Sequence, residues 1–218
     1  MSVRIGLIHS VIPAIGAVED AFAKIWPAAR TTSLYDQSTY QDLGPNRSLT
    51  PEIYRRVAAL IQYSTGCGVD AVLVTGSLFG PAAVAARETV GVPVVTSFDG
   101  LVDEALAIGT KLAMIATDPG TNRMLEAELT QRSGEAGIAL NLAPIYVPDA
   151  MGLLQGGDRA GHDRLVVEAA TGAQSCDAIL LGQFSMGPTR PLVEKRTGRP
   201  VLDAPEAAVR KLRSLFDG

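Results

Sequence analysis

The chain has 218 residues, 47% of them hydrophobic and 19% charged, which is enough apolar surface for a buried core and too much for a disordered chain. Nineteen basic against 23 acidic side chains leave a net charge of −4 and no basic stripe, which argues against a nucleic-acid partner. Two cysteines, Cys67 and Cys176, are too few for a disulfide framework or for a zinc or iron–sulfur ligand set, and no apolar run reaches the ~18 residues of a membrane span.

The opening residues, MSVRIGLIHS, read as a buried strand rather than a signal peptide, so the protein is expected in the cytoplasm and off membranes. From there, short runs rich in Val, Ile and Leu alternate with helical stretches. Strands are expected at Val3–His9, Thr31–Tyr35, Ala71–Thr75, Val92–Thr96, Lys111–Thr117, Ile138–Ile145, Ala178–Leu181 and Val201–Leu202. Helices are expected at Ala14–Ile25, Pro51–Thr65, Pro81–Val90, Asp99–Ile108, Pro119–Ser133, Ala160–Gln174, Pro188–Arg196 and Pro205–Phe216. Several begin with proline, whose missing N–H costs nothing in a first turn. Thr50-Pro51-Glu52 supplies a cap, a proline and a first-turn acid in order. Continuous rather than alternating apolar runs suit strands covered on both faces, and strand–helix alternation predicts an α/β fold with parallel sheets.

An internal repeat organises the whole chain. Asp70 to Pro81 (DAVLVTGSLFGP) matches Asp177 to Pro188 (DAILLGQFSMGP) at an offset of 107 positions. The same offset carries Gly91-Val92-Pro93-Val94 onto Gly198-Arg199-Pro200-Val201, and Arg4–Ile8 onto Lys111–Ile115. Three blocks in one ungapped register indicate duplication. Two half-domains are expected: residues 1–98 with a returning helix at 205–218, and residues 99–204. In parallel α/β sheets the ligand crevice lies beyond the carboxyl ends of the strands. His9-Ser10, Asp36-Gln37, Gly76-Ser77, Thr117-Asp118 and Gln183-Phe184-Ser185 stand at such exits, and Gly76 and Gln183 are equivalent positions facing one shared cleft.

Gly6-Leu7-Ile8-His9, the Asp70–Pro81 segment and the Asp177–Met186 segment, together with the duplication, resemble the aspartate/glutamate racemase superfamily, closest to its hydantoin-racemase-like and arylmalonate-decarboxylase-like branch. The resemblance covers nearly the whole chain. It implies two pseudo-symmetric flavodoxin-like half-domains with an interdomain cleft. The implied activity is that of a racemase or isomerase, using neither cofactor nor metal, at a carbon next to a carboxylate or carbonyl. An amino acid, hydantoin or malonate-type molecule is the implied ligand, and a homodimer the implied assembly. In that family one thiol from each half flanks the reacting carbon. The two thiol positions fall here on Gly76 and Gln183, neither of which exchanges a proton near neutral pH. The expectation is therefore a racemase-like protein with altered catalytic residues; the alternatives are a non-catalytic carboxylate-binding protein and a decarboxylase-like lyase.

The remaining candidates keep two readings each. His9, at the end of the first strand, is either the replacement general base or a histidine bonded to its surroundings. Ser77 with Leu78, and Ser185 with Phe184, either contact a carboxylate or cap the following helix. Ser10 and its repeat partner Thr117, with Asp118 beside it, supply either anion-binding groups or ordinary turn chemistry. Asp36, Gln37 and Tyr40 belong to a long loop at the crevice end, as substrate contacts or as solvated surface. His162 reads as a surface or capping residue, and both cysteines as buried structural thiols.

Overall fold

The computed structural model describes residues 2–44, 46–173 and 175–217. The ends of the expected half-domains at residues 1 and 218, and the end of the expected helix at Gln174, lie outside the described residues. The strands are β1 (Arg4–His9), β2 (Arg30–Tyr35), β3 (Ala71–Val74), β4 (Val94–Val95), β5 (Lys111–Ala116), β6 (Asn141–Tyr146), β7 (Ala178–Leu181) and β8 (Val201–Asp203). The helices are α1 (Pro13–Ile25), α2 (Gln37–Gln41), α3 (Pro51–Gly66), α4 (Gly80–Ala86), α5 (Asp99–Ile108), α6 (Pro119–Glu135), α7 (Ala150–Gln155), α8 (Arg159–Ala170), α9 (Arg190–Thr197) and α10 (Ala204–Ser214).

They form two four-stranded parallel sheets with the same order, β2-β1-β3-β4 and β6-β5-β7-β8, as expected of an α/β chain built from two flavodoxin-like units. The central pairing repeats in register: Ile5 lies opposite Ala71, and Leu112 opposite Ala178. So does a side-chain staple ahead of it. Asp70 Oδ2 accepts the Arg4 N–H at 2.7 Å, and Asp177 Oδ2 accepts the Lys111 N–H at 2.8 Å. The offset of 107 slips to 111 at the edge strands, where Arg30 and Asn141 hold equivalent places. The cause is α6, which has 17 residues where α1 has 13. The edge strands β2 and β6 are half-exposed rather than covered on both faces, and an edge position tolerates Pro144.

Three expected elements need correction. The helix expected over Pro81–Val90 is a 3₁₀ turn at Ser77–Phe79, then α4, then a second 3₁₀ turn at Arg87–Thr89. The one expected from Pro188 opens as a 3₁₀ turn at Phe184–Thr189. The segment read as a long loop after β2 contains α2, capped by Asp36, whose carboxylate accepts the Ser38 N–H at 3.0 Å. Its counterpart after β6 contains α7.

The two sheets are joined by exchanged helices. α5 follows the first sheet in sequence and packs on β7 and β8; α10 follows the second and packs on α1 and β4. One apolar cluster runs through the middle, taking Ile5, Leu7 and Leu73 from the first sheet, Leu112, Met114 and Leu180 from the second, and the inner faces of α1, α5 and α10. Separate clusters line the outer face of each sheet. α5 and α10 touch at Gly100, where an added Cβ would collide with the backbone carbonyl group of Ala207, its carbonyl carbon only 2.7 Å away. Gly100→Ala is expected to lower unfolding free energy by at least the ~1–3 kcal/mol of an overpacked core, read as a lower urea midpoint, since the obstacle is backbone that cannot rotate aside.

Candidate functional site

The exits of β1, β3, β5 and β7 meet between the halves, as parallel-sheet geometry requires. Ser10, the Gly76–Phe79 turn, Asp118 and the Gln183–Ser185 turn line a small cleft of about 30 Å³. Thr121, Tyr40 and Met151 line the same space. Of the candidates named from sequence, Ser10, Gly76, Ser77, Leu78, Gln183, Phe184 and Ser185 all line this space.

The wall from the second half is hydrogen-bonding. Gln183 Oε1 accepts both the backbone N–H and the hydroxyl of Thr117, at 2.6 and 2.9 Å. An N–H can only donate, so the oxygen of the amide must face Thr117, and the amide nitrogen is left for the cleft. Among the described residues Gln183 Nε2 has no hydrogen-bond partner. Thr117 therefore does not present its hydroxyl to a ligand, as its pairing with Ser10 suggested; it orients Gln183. The 3₁₀ turn that follows leaves its first N–H groups, at Phe184 and Ser185, without partners inside the turn.

In the wall from the first half, position 76 offers no side chain. Ser77 turns its hydroxyl to Thr121 Oγ1 at 3.0 Å, a buried bond between the two halves. Ser10, the repeat partner of Thr117, finds no hydrogen bond among the described residues and faces the cleft.

Several candidates lie elsewhere. His9 is 1% exposed and does not line the cleft. Its Nδ1 lies 2.9 Å from Thr75 Oγ1 and its Nε2 3.2 Å from Ser33 Oγ. Thr75 donates its one hydroxyl proton to the Ile8 carbonyl, so Nδ1 carries the imidazole proton and Nε2 accepts from Ser33. Burial pushes the His9 pKa down to about 4, which leaves a neutral ring with both nitrogens engaged. Asp36 caps α2 and pairs with Arg56 at 2.9 Å; its pKa is lowered by the Ser38 and Arg56 hydrogen bonds, which outweigh its partial burial. Gln37 lies in the outer groove at the cleft mouth. Cys67 is exposed rather than buried, Cys176 is buried, and both precede their strands, away from the cleft. His162 is not a surface residue: it is fully buried, with Nδ1 2.8 Å from Asp163 Oδ1. Among the described residues no group of three or more His, Cys, Asp or Glu could hold a metal ion, and no helix is long and apolar enough to cross a membrane.

Sequence reading missed Arg47 and Met151. Arg47 lies in the connection between β2 and α3, stacks over the Tyr40 ring at 4.6 Å and pairs its Nε with Asp118 Oδ2 at 3.0 Å. The Tyr40 hydroxyl donates to the same oxygen at 3.4 Å, and Asp118 Oδ1 caps α6 by accepting the Gly120 N–H at 2.8 Å. Burial, then the charge of Asp118, raise the Tyr40 pKa, with Arg47 pulling the other way. The cluster joins the first half's long connection to the first turn of the second half's α6.

The Asp/Glu/Hydantoin racemase family model matches residues 12–212. The chain belongs to that family. A search of curated proteins finds no match. Among solved structures, glutamate racemase RacE1 from Bacillus anthracis is 15% identical over 98% of this chain and 81% of its own, with a TM-score of 0.77. Allantoin racemase from Klebsiella pneumoniae is 23% identical over 99% and 88%, with a TM-score of 0.75. Unliganded arylmalonate decarboxylase is 22% identical over 99% and 94%, with a TM-score of 0.65. At these identities the likeness establishes that this racemase-family chain shares their two-lobed fold.

The His9 environment sets a pH dependence. The unfolded chain binds a proton on His9 near pH 6.5 and the folded protein only near 4, so the neutral buried ring contributes stability above pH 6.5 that is lost as pH falls to 4. The stability gap between wild type and His9→Gln is expected to narrow by about 3 kcal/mol between pH 7 and pH 4, measured by urea unfolding; a gap independent of pH would contradict the assigned state of the ring.

Proposed function

We propose that this racemase-family protein binds a small carboxylate or carbonyl compound in the cleft between its halves. It acts at the adjacent carbon as an isomerase, or as a lyase of the decarboxylase type, with a proton-transfer set that differs from paired thiols. The observation that carries the reading is the convergence of donors from opposite halves on one space: the Gln183 amide nitrogen and Ser185 from one, Ser10 from the other. Asp118, the carboxylate at this space, is neutralised by Arg47, so an anion is not repelled. Fixed N–H and O–H donors of this kind stabilise an enediolate as it forms, and lose little to reorganisation because the turns already hold them.

Neither cysteine reaches the cleft, and Tyr40 and Asp118 are the ionisable side chains among those that line it. A proton delivered to the reacting carbon then comes from the Tyr40 hydroxyl, which gives up its hydrogen bond to Asp118 in doing so and regains a proton from solvent. Loss of carbon dioxide from a malonate-type ligand needs one such donor; racemisation needs in addition a base on the opposite face. The same observation supports the second reading, a carboxylate-binding protein without turnover.

Thermal-shift measurements with malonate, phenylmalonate, aspartate, glutamate, hydantoin and allantoin separate the readings. Mass spectrometry of each compound incubated in D₂O completes the test. A rise in melting temperature with deuterium uptake or product is expected of the enzyme. A rise without either identifies the binding protein, and no rise with any compound rejects both. Gln183→Ala is expected to weaken binding of the stabilising compound about tenfold, the loss of one hydrogen bond to a charged group. Tyr40→Phe is expected to abolish deuterium uptake while leaving the thermal shift in place.

A further inference from the structure

In a 3₁₀ turn, side chains three residues apart eclipse one another. Both strand exits at the cleft are such turns. The Phe79 N–H donates to the Gly76 carbonyl at 2.9 Å, and the Met186 N–H to the Gln183 carbonyl at 3.0 Å. Positions 76 and 79 therefore stack in one half as 183 and 186 do in the other, and each pair must share one volume. In the second half the pair is a glutamine turned aside to Thr117 and a methionine, an unbranched chain that fits irregular gaps. In the first half it is nothing and a ring. A Cβ built on Gly76 would stand 2.5 Å from Phe79 Cδ2 and 3.1 Å from Cε2, far inside van der Waals contact. Phe79 is itself buried among Leu78, Val74 and Ala82 in the outer core of the first sheet, which hems the ring in on its core side. Ser10 Oγ, 2.9 Å from the same point, belongs to a side chain that can rotate away; the aromatic ring is the obstacle.

We propose that Phe79 is the residue that determines what the first-half wall of the cleft is. Its ring takes the volume of the side chain that Gly76 lacks, gives that wall an apolar aromatic face opposite the hydrogen-bonding face of Gln183 and Ser185, and prevents position 76 from carrying a proton-transfer group. Bulk has moved from 76 to 79 within one eclipsed pair, so glycine at 76 is a consequence of the ring as much as a lost side chain. The ligand accordingly sets an apolar substituent against the ring and its polar end toward Ser10, Gln183 and Ser185. This assignment of ligand orientation rests on the carboxylate-binding reading; the packing claim does not.

A double-mutant cycle tests the packing claim without any ligand. Gly76→Cys, Phe79→Met and the double variant are made with Cys67→Ser in the background, and urea unfolding is compared. Gly76→Cys alone is expected to lower the urea midpoint clearly. Adding Phe79→Met, the residue type of the second half, is expected to restore much of the loss, so that the two changes are strongly non-additive. Additive effects, or a single variant as stable as its parent, would overturn the proposal. A second measurement covers the case in which the single variant fails to fold. In the double variant the thiol introduced at 76 should be alkylated by iodoacetamide while the buried Cys176 is not, and the absence of labelling would show that position 76 does not face the cleft. The carboxylate reading is probed separately by iodoacetate. Its rate relative to iodoacetamide should exceed that ratio for the exposed Cys67 of the wild type by about tenfold. An equal ratio counts against anion binding and leaves the stability cycle, and with it the role of Phe79, standing.

Discussion

The close approach of α5 and α10 is the constraint on which the cleft depends. Each helix leaves one sheet and packs on the other, so the sheets are held at the relative orientation that the crossing permits. Gly100 and Ala207 are equivalent under the 107-residue repeat, and they touch each other at the crossing. That is the signature of a self-complementary contact, in which a surface meets its own copy across a twofold axis. At the axis two copies of one side chain compete for one volume, and only very small residues let the backbones meet.

Charge has since made the two copies different. Asp103 and Glu104 on α5 correspond to Arg210 and Lys211 on α10, and the pairs cross: Lys211 with Asp103 at 2.8 Å, Arg210 with Glu104 through two bonds at 2.6 and 2.8 Å. Identical copies would have set like charges against each other at these positions. Partly exposed ion pairs contribute at most about 1 kcal/mol each, so the apolar cluster beneath, with Leu101, Ala105, Ala208 and Leu212, supplies the adhesion. The charges select which helix meets which. The same history explains the cleft: the backbone turns at the strand exits are conserved between the halves, while the side chains placed on them have diverged. Ser10 is left without a partner because Gly76 has no side chain, whereas its equivalent Thr117 is committed to Gln183.

The duplication, the alternation of strands and helices along the chain and the residues at the four inner exits were legible in the chain, because they follow from a long ungapped repeat and from apolar runs with local periodicity. What escaped was set by contacts distant in sequence. Arg47 reaches the site only because the connection between β2 and α3 lies across the first turn of α6, 71 positions further on. His9 ends a strand aimed at the cleft, yet its ring is claimed by Thr75 and Ser33 from the two neighbouring strands, a competition no single segment displays. His162 carried a readable signal that its polar neighbours masked. It begins the buried stripe His162, Val166, Ala170 of α8, as Ile53 begins Ile53, Val57, Ile61 of α3, and spacing of four on a helix marks a core face.

On the proposed reading, the divergence moves the chemistry of the site away from its two symmetric exits. A thiol pair would act from the two symmetric exits, but here one exit is closed by Phe79 and the other holds an amide fixed by two bonds. The groups able to carry charge and protons are Tyr40, Arg47 and Asp118, drawn from a connection in one half and a helix cap in the other. Their arrangement is asymmetric, one phenol, one carboxylate and one guanidinium held in a single cluster. A one-sided proton source suits delivering a proton to a carbanion more than exchanging protons across both faces of a carbon. Asp118 accepts the phenol's hydrogen bond and pairs with Arg47, whose charge offsets its own at that buried place. The guanidinium, outside the cleft lining itself, is in this way the group that compensates the one carboxylate among the described side chains that line it.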